Sequence, residues 1–303
     1  MILSAGLSPA WQQILRFDQF RTGNVNRAAE AHWCASGKVI NVAVAAKSLG
    51  EEISLVSAIG GLTGDAIQRD LRQRGLPTEW IDTGKPTRVC TTIIDDAGQV
   101  TELVEEAASV SEEVLADFVD RARFYSSIAA VSVFTGSLPK GTPADLFAQI
   151  MPHSAGRLIL DLRGESLRHC LAHRPFLVKP NRDELESTVG KPMQDDRDLL
   201  TAMNQLNDAG AEWVLITNGP EEVWLTSLKS RYRFTPPRVE VINPIGSGDC
   251  LAAALAVGLS REQDVVEAVR FGVAAATHNC QQLLPGRLDI GRCRELFNQV
   301  VVE

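Results

Sequence analysis

Apolar residues along the chain form short continuous runs that alternate with longer stretches of helical spacing. The runs are rich in β-branched and large apolar residues, as in strands that are buried on both faces. They lie at residues 53–59, 128–135, 157–161, 176–178 and 213–217. The amphipathic, helix-like stretches lie at residues 64–74, 143–151, 182–189 and 196–209. Repeated strand–helix–strand units of this kind predict an α/β fold, with a parallel sheet covered by helices on both faces.

Two stretches depart from this alternation. Residues 88–95 and 100–104 are typical of strands joined by the turn at 96–98, with no helix between them. Residues 9–33 also lack a helical pattern. We therefore predict a small antiparallel β-sheet inserted into the α/β body, in the manner of a lid over a site. The body is assigned to residues 1–8, 34–85 and 107–303, and the lid to residues 9–33 and 86–106.

Composition narrows the class of protein without giving a function. Apolar residues make up 45% of the 303 residues, which indicates a folded globular chain. The 30 Lys and Arg against 38 Asp and Glu give a formal net charge of −8, which argues against nucleic acid as the main partner. The N-terminus lacks a basic, apolar signal segment, and the apolar run at 250–259 is too short to span a bilayer. We expect a cytoplasmic protein without a membrane partner.

The segment NPIGSGD at residues 243–249 precedes an Ala- and Leu-rich run that is typical of a fully buried helix. Pro244 and the two glycines predict a tight turn whose free backbone N–H groups converge in front of the helix dipole. This arrangement suits a phosphate. A carboxylate at Asp249 would repel that anion, unless it takes a proton from a hydroxyl that attacks phosphorus. The alternative is a capped helix start in which Asp249 only complements the dipole.

The segment FLVKPNRDEL at residues 176–185 has two interpretations. A strand ends at Lys179, and Asn181 with Glu184 three positions later forms the pattern of a capping box. In the functional interpretation, Asn181 and Glu184 offer hard oxygens to hydrated Mg²⁺ while Lys179 faces phosphates. The residues by themselves leave both open.

Two further segments are small-residue turns. SGKVINVA at 36–43 opens a helix, where Lys38 and Asn41 either face a ligand or lie on the solvent side. GSLP at 136–139 directly follows a strand, which is where doubly wound sheets bind ligands, and a plain strand-to-helix turn is the alternative for Ser137.

Taken in chain order, the patterns SGKxxNVA, GSLP, KPNxxE and NPxGSGD resemble the ribokinase-like (PfkB) carbohydrate kinases over essentially the whole chain. The most similar branch is the 1-phosphofructokinase and tagatose-6-phosphate kinase group. Further matching positions are 22–27, 60–61, 86–88, 271–275 and Asn279. The resemblance implies a doubly wound, mainly parallel sheet with a β lid. It also implies ATP-dependent phosphoryl transfer to a hydroxyl of a sugar or sugar phosphate.

The resemblance further implies roles for individual residues. Asp249 would be the catalytic base, and the backbone amides of Gly246, Ser247 and Gly248 would form the anion hole. The acceptor would contact Gln12, Arg27, Lys38, Asn41, Arg88 and Ser137. The nucleotide would contact Lys179, Asn181, Thr217, Gly219 and Asn279, with Asn181 and Glu184 holding Mg²⁺ through water. ATP is the implied co-substrate, and pairing of lids implies a homodimer.

The sequence departs from the family pattern mainly in its acceptor half. Gln12 stands where the family carries an aspartate that binds acceptor hydroxyls, so a charged acceptor group becomes a neutral amide. Val39 stands in a turn that is usually Gly-Gly-Lys-Gly, which predicts an altered backbone if that position required positive φ. Glu222 replaces a second glycine near the nucleotide strand.

These departures keep two alternatives open beside a sugar-phosphate kinase. Gln12 and Val39 favour a catalytically idle protein that binds or senses a sugar phosphate, whereas the complete GSGD pattern opposes it. The other alternative is a kinase of an unphosphorylated sugar or nucleoside. Arg88, Lys38 and Arg27 favour an anionic acceptor instead.

Overall fold

The structure, a computed structural model, describes residues 1–303 and contains fourteen strands and nine α-helices. The strands are β1 (Ile2–Ala5), β2 (Ala10–Phe17), β3 (Glu30–Ser36), β4 (Ile53–Ile59), β5 (Thr78–Asp82), β6 (Val89–Asp95), β7 (Val100–Val104), β8 (Val131–Thr135), β9 (Arg157–Asp161), β10 (Leu177–Val178), β11 (Trp213–Ile216), β12 (Val223–Thr226), β13 (Arg231–Thr235) and β14 (Val301–Val302). The helices are α1 (Lys38–Ser48), α2 (Gly61–Gln73), α3 (Glu112–Ser126), α4 (Gly164–Leu171), α5 (Arg182–Val189), α6 (Asp196–Asp208), α7 (Ser247–Ser260), α8 (Val265–Cys280) and α9 (Ile290–Phe297).

The larger sheet has ten strands in the order β14-β13-β12-β11-β10-β9-β8-β1-β4-β5. Pairing is parallel from β11 through β5, and β12, β13 and β14 add three antiparallel strands at one edge. The predicted mainly parallel α/β sheet is therefore confirmed. No helix in the structure is both long and apolar enough to cross a membrane.

Helices cover both faces of this sheet, because alternate residues of its strands belong to two separate cores. In β8, Val131 and Val133 pack with α1, α7 and α8 on one face. Phe134 on the other face packs with α3, α4 and α6. Helix α7 is buried along almost its whole length, from Asp249 to Leu259, as its Ala- and Leu-rich sequence predicts.

The second sheet has four strands in the order β3-β2-β6-β7. The hairpin β6–β7 is antiparallel, as predicted from the turn at 96–98, and β2 and β3 form a second antiparallel pair. The two pairs join through parallel pairing of β2 with β6, in which Gln12 lies opposite Cys90. Four strands contributed by two distant chain segments thus form one sheet. The division of the chain into body and lid at particular residues stays a prediction.

Several predicted elements coincide with the observed ones, but the helix predicted at 143–151 is wrong. The backbone there forms successive turns that end in a 3₁₀ turn at Met151–His153. Its hydrogen bonds mix i→i+3 and i→i+4 spacing, such as Leu146 N to Pro143 O and Met151 N to Phe147 O. Pro152 disfavours helical backbone at Met151, so the apolar periodicity is used for packing without a regular helix.

The packing of this turn segment can be tested at Phe147. Its ring is fully buried and stacks on Phe134, with ring centroids 5.5 Å apart, and meets Phe118 edge-on at 6.2 Å. Phe147→Ala is expected to lower the free energy of unfolding by about 3–5 kcal/mol, because it leaves a cavity in the core. Urea denaturation followed by circular dichroism measures this change.

The matched control is Phe124→Ala, since Phe124 lies on α3 and is 60% exposed. It should change the free energy of unfolding by less than about 1 kcal/mol. Equal effects of the two substitutions would contradict the packing described for Phe147.

Candidate active site

The four sequence segments come together at the carboxyl edge of the parallel strands. Two adjoining cavities of about 570 and 430 Å³ lie there. The larger one is bounded by the β12 and β13 region, α7 and α8, and the smaller one by the β lid, α1 and the ends of β9 and β10. Both are lined by Thr217, Gly219, Ser247 and Gly248. Two ligands could therefore meet beside the start of α7.

The loop before α7 is held in place by its own side chains. Asn243 is buried, its amide nitrogen donates to Leu283 O at 2.8 Å, and its amide oxygen accepts from Ile245 N at 3.1 Å. Gly246 is the N-cap residue directly before α7, and its φ of +80° lies in the left-handed region. A Cβ at Gly246 would lie 2.7 Å from Pro285 Cβ, so only glycine fits there.

The backbone amides of Gly246 and Gly248 have no acceptor within the protein, whereas Ser247 N donates to Pro244 O at 3.2 Å. Two of the three amides expected in the anion hole are therefore free, and the third is used to close the turn. A Cβ at Gly248 would lie 3.5 Å from Lys179 Nζ. The open space between these amides and the ammonium group suits an anion.

Asp249 occupies the first turn of α7 and is 6% exposed. Asn41 of α1 donates to Asp249 Oδ2 at 2.8 Å, and Asp249 Oδ1 has no partner in the protein. Burial raises the pKa of Asp249 to about 6, and the like charge of Asp161 adds to this rise. Lys38, the Asn41 hydrogen bond and Lys179 oppose it. The carboxyl group thus combines a free oxygen with raised basicity, which suits a general base.

Asp161, at the end of β9, is the most connected charge in the site and is 1% exposed. Its Oδ1 lies 3.1 Å from Lys38 Nζ and 3.3 Å from Lys179 Nζ. Its Oδ2 accepts from Thr135 Oγ1 at 3.1 Å. Burial alone would raise the pKa of Asp161, but the two ammonium groups hold it below its usual value. Lys38 Nζ also donates to Glu184 Oε1 at 2.9 Å.

Asn181 and Glu184 form the capping box of α5. Asn181 Oδ1 accepts from Glu184 N at 2.8 Å, and Glu184 Oε2 accepts from Asn181 N at 2.9 Å. No group of three His, Cys, Asp or Glu side chains is arranged to hold a metal ion. The hard oxygens of Asn181 and Glu184 fit hydrated Mg²⁺, because each still has a lone pair that can accept a hydrogen bond from the water shell of the ion.

The structure brings most of the predicted acceptor residues into the smaller cavity: Gln12, Lys38, Asn41 and Arg88. The Arg88 guanidinium donates to three backbone carbonyls, those of Ser8, Pro9 and Glu105. It therefore ties the loop before β2 to the end of β7 as well as facing the cavity.

Two predicted acceptor residues lie outside the walls of that cavity. Arg27 is exposed on the connection between β2 and β3. Ser137 donates to Ser8 Oγ at 3.2 Å and accepts from Ser8 Oγ through its backbone carbonyl at 2.7 Å. Within one chain, neither residue lines the cavity as the others do.

In the turn before α1, Gly37 has a positive φ and Val39 does not. Gly37 has a φ of +93°, and a Cβ there would lie 2.8 Å from Ser8 O. Val39 lies inside α1 with ordinary helical backbone and is 1% exposed. An altered backbone was predicted only if position 39 required a positive φ. Val39 instead lies in the helix and faces the core, so the turn needs no such change there.

Lys179 and Asn181, which were predicted to contact the nucleotide, line only the smaller cavity, whereas Thr217, Gly219 and Glu222 line the larger one. Asn279 lines neither cavity: it is 1% exposed, donates to Ile245 O at 2.9 Å and accepts from Gly286 N at 2.9 Å. Both of its amide atoms are used to join the loop before α7 to the segment after α8. Asn279 thus supports the anion-binding loop from behind.

Sequence reasoning missed two carboxylates that line the smaller cavity, Asp161 and Glu102. The strand RLILD ends in an acid at the carboxyl edge of the sheet, which is the signal that would have found Asp161. Glu102 lies on β7, and only the pairing of β6 with β7 shows which way its side chain faces.

The model of the family described as pfkB family carbohydrate kinase matches residues 10–287. A protein described as possible 1-phosphofructokinase from Thermotoga maritima has a TM-score of 0.90 at 18% identity, and 100% of this chain and 98% of that one are covered. Phosphofructokinase-2 from Escherichia coli, in complex with substrates and products, has a TM-score of 0.89 at 25% identity and 98% coverage of both chains.

Ribokinase from Thermotoga maritima is also similar, with a TM-score of 0.77 at 20% identity and 98% coverage of both chains. These likenesses extend over the whole chain, including both sheets. They show that the fold is ribokinase-like.

The anion-binding loop yields a prediction that separates its two glycines. Gly248→Ala should leave the midpoint of thermal unfolding within about 2 °C, since Gly248 is helical and its Cβ would meet only Lys179 Nζ. The added methyl group fills the space in front of the free amides, so the dissociation constant for ATP should rise by at least about tenfold. Calorimetric titration measures it.

Gly246→Ala is the contrasting variant. Its left-handed backbone and the contact with Pro285 should destabilise the fold by more than about 1 kcal/mol. Unchanged ATP affinity in folded Gly248→Ala would contradict anion binding at this loop.

Proposed function

Because this chain belongs to the pfkB family of carbohydrate kinases and is a sugar kinase, we propose that it transfers the γ-phosphoryl group of ATP to a hydroxyl of a sugar or sugar phosphate, with Asp249 as the base. One observation carries this proposal. Asp249, with one unpartnered oxygen, lies beside the free amides of Gly246 and Gly248 where the two cavities adjoin.

The base acts on the acceptor hydroxyl. Asn41 fixes Asp249 by one oxygen, which leaves the other to accept the hydroxyl proton as the acceptor oxygen attacks phosphorus. With a pKa of about 6, this carboxyl group is mostly ionised near neutral pH and yet more basic than an exposed aspartate. Raised basicity makes the proton transfer easier in the transition state.

The charge that develops on the transferred group meets positive and dipolar groups. The amides of Gly246 and Gly248 would donate to its oxygens, and the dipole of α7 supports them. Lys179 Nζ lies at the same loop and would contact the phosphates. Phosphoryl transfer requires mainly such positioning and charge stabilisation.

Asn181 and Glu184 line the smaller cavity next to Lys38 and Asp161, close to where the two cavities adjoin, and there they would hold hydrated Mg²⁺. The ion supplies neutralisation of phosphate charge when it is bound with ATP. The chain's own contribution is to fix Glu184 by the capping box and by Lys38, so that its carboxylate stays beside the phosphate site.

We also propose that two chains pair through the β lid as a homodimer. The supporting feature is a set of exposed apolar side chains on the lid, with Val25 83%, Trp33 45% and Leu103 55% exposed. Apolar groups this exposed are commonly covered by a partner.

The proposed base is tested by Asp249→Asn. The amide keeps the shape but cannot take a proton, so kcat should fall by about 10²- to 10⁴-fold. The dissociation constant for ATP should change by less than about threefold, because Asp249 faces the acceptor side. Release of ADP over a panel of sugars and sugar phosphates measures turnover.

Asp183→Asn is the matched control, since Asp183 is an exposed acid in the first turn of α5. Near-normal turnover of Asp249→Asn would overturn the assignment of the base. Tight sugar binding by the wild type with no ADP release over the whole panel would instead identify a binding protein.

The raised pKa of Asp249 predicts the acid side of the pH profile. The base works only when ionised, so kcat should fall as the pH drops through about 6. It should then fall about tenfold for each further pH unit. Asp161→Asn removes the neighbouring negative charge that raises this pKa, so the acid limb should move to lower pH.

Steady-state kinetics between pH 5 and about 8, with saturation by both substrates checked at each pH, measures the limb. A limb that stays in place in Asp161→Asn would show that another group controls the profile.

A further inference from the structure

The smaller cavity is the acceptor cavity of the proposed kinase. Four carboxylates line it, and three of them have partners in the protein. Asp161 is paired with two lysines, Glu184 with Lys38 and the α5 N-terminus, and Asp249 with Asn41. Glu102 of β7 lines the open rim of the same cavity as an exposed residue, and its side chain forms no hydrogen bond or ion pair with any protein group. Its carboxylate must take its hydrogen bonds from water or from a ligand.

None of the positively charged side chains that line the cavity forms an ion pair with the carboxylate of Glu102. Lys38 is bound to Asp161 and Glu184, and Lys179 is paired with Asp161. The Arg88 guanidinium donates to three backbone carbonyls. The walls of the cavity raise the pKa of the Glu102 carboxyl by removing part of its water, and Arg88 opposes this rise from a distance.

Glu102 shares its face of the lid with Gln12. Thr92 lies directly opposite Glu102 in the β6–β7 pair, and Gln12 Nε2 donates to Thr92 Oγ1 at 2.7 Å. Gln12 is 3% exposed and lines the cavity, and its amide oxygen accepts no hydrogen bond from the protein. A carboxylate and an amide oxygen without protein partners therefore lie on the same face of the lid, near Thr92.

Building on the proposed kinase function, we propose that Glu102 binds hydroxyl groups of the acceptor and takes over the task of the carboxylate that Gln12 replaces. Glu102 lies on the edge strand β7, two strands away from Gln12 on β2 and on the same face of the lid. Gln12 remains beside it as a neutral second acceptor.

This placement defines the part of the substrate that faces β7. A carboxylate binds O–H donors strongly and repels phosphate. The acceptor is therefore a polyhydroxylated sugar or sugar phosphate whose free hydroxyls point at Glu102, while any phosphate it carries lies away from β7. The hydroxyl that reacts is a different one, held at Asp249.

The test is a kinetic comparison with three named acceptors: fructose 6-phosphate, fructose 1-phosphate and tagatose 6-phosphate. Glu102→Gln keeps the size of the side chain and removes its charge. For the acceptors that the wild type uses, the acceptor KM should rise by about 10- to 100-fold, which is the effect of losing a hydrogen bond to a charged group. The KM for ATP should stay within about threefold, because Glu102 lines only the acceptor cavity.

Two further variants separate this role from a structural one. Glu106→Gln changes an exposed acid just after β7 that lines neither cavity, and its acceptor KM should equal that of the wild type. Gln12→Asp in the Glu102→Gln background returns a carboxylate to β2, where Thr92 can donate to it. This double variant should recover at least about fivefold of the lost acceptor affinity.

An acceptor KM of Glu102→Gln within about threefold of the wild type, with turnover intact, would overturn the role of Glu102 and leave the kinase proposal standing. A wild type that turns over none of the three acceptors would overturn the kinase proposal for this substrate class, and the role of Glu102 with it.

Discussion

The buried carboxylate of Asp161 between two lysines organises the site. It lies at the end of β9 and joins Lys38 at the start of α1 to Lys179 after β10. Two ammonium groups beside each other at the carboxyl edge would repel one another, and Asp161 allows both to remain there. The same negative charge raises the pKa of Asp249, so one group sets both the position of the cations and the basicity of the proposed base.

Such an ion cluster contributes less to stability than to geometry. Burying charges costs solvation free energy that their attraction only partly offsets, and removing one partner leaves the others unpaired. Two further hydrogen bonds offset part of this solvation cost. Thr135 donates to Asp161, and Lys38 donates to Glu184. The result is a fixed set of side chains from α1, β8, β9, β10 and α5 at one point, and α7 brings its free amides to the same point.

The sequence predicted the body of the fold well, because strands such as β4 and β9 are buried on both faces and have little other interpretation. It predicted a helix at 143–151 wrongly, since apolar spacing shows which residues are buried and not which hydrogen bonds the backbone forms. Motifs located Lys179, Asn181 and Asp249 in the site. They could not show that Asn279 faces the core or that Glu102 lines the smaller cavity, because both facts depend on packing and strand register between distant segments.

The charges at the junction of the cavities explain how an acidic protein could accept ATP. Two ammonium groups, Lys38 and Lys179, face three carboxylates, those of Asp161, Glu184 and Asp249, so the cluster itself carries no excess of positive charge. With a net charge of −8, long-range attraction cannot supply what the cluster lacks. A triphosphate entering this site must therefore bring its own cation and use uncharged donors. The free amides of Gly246 and Gly248 are such donors, and the hard oxygens of Asn181 and Glu184 suit the water shell of that cation. The excess of carboxylates over ammonium groups in the cluster thus explains why the proposed phosphate binding relies on a cation brought with the nucleotide and on the amides at the start of α7.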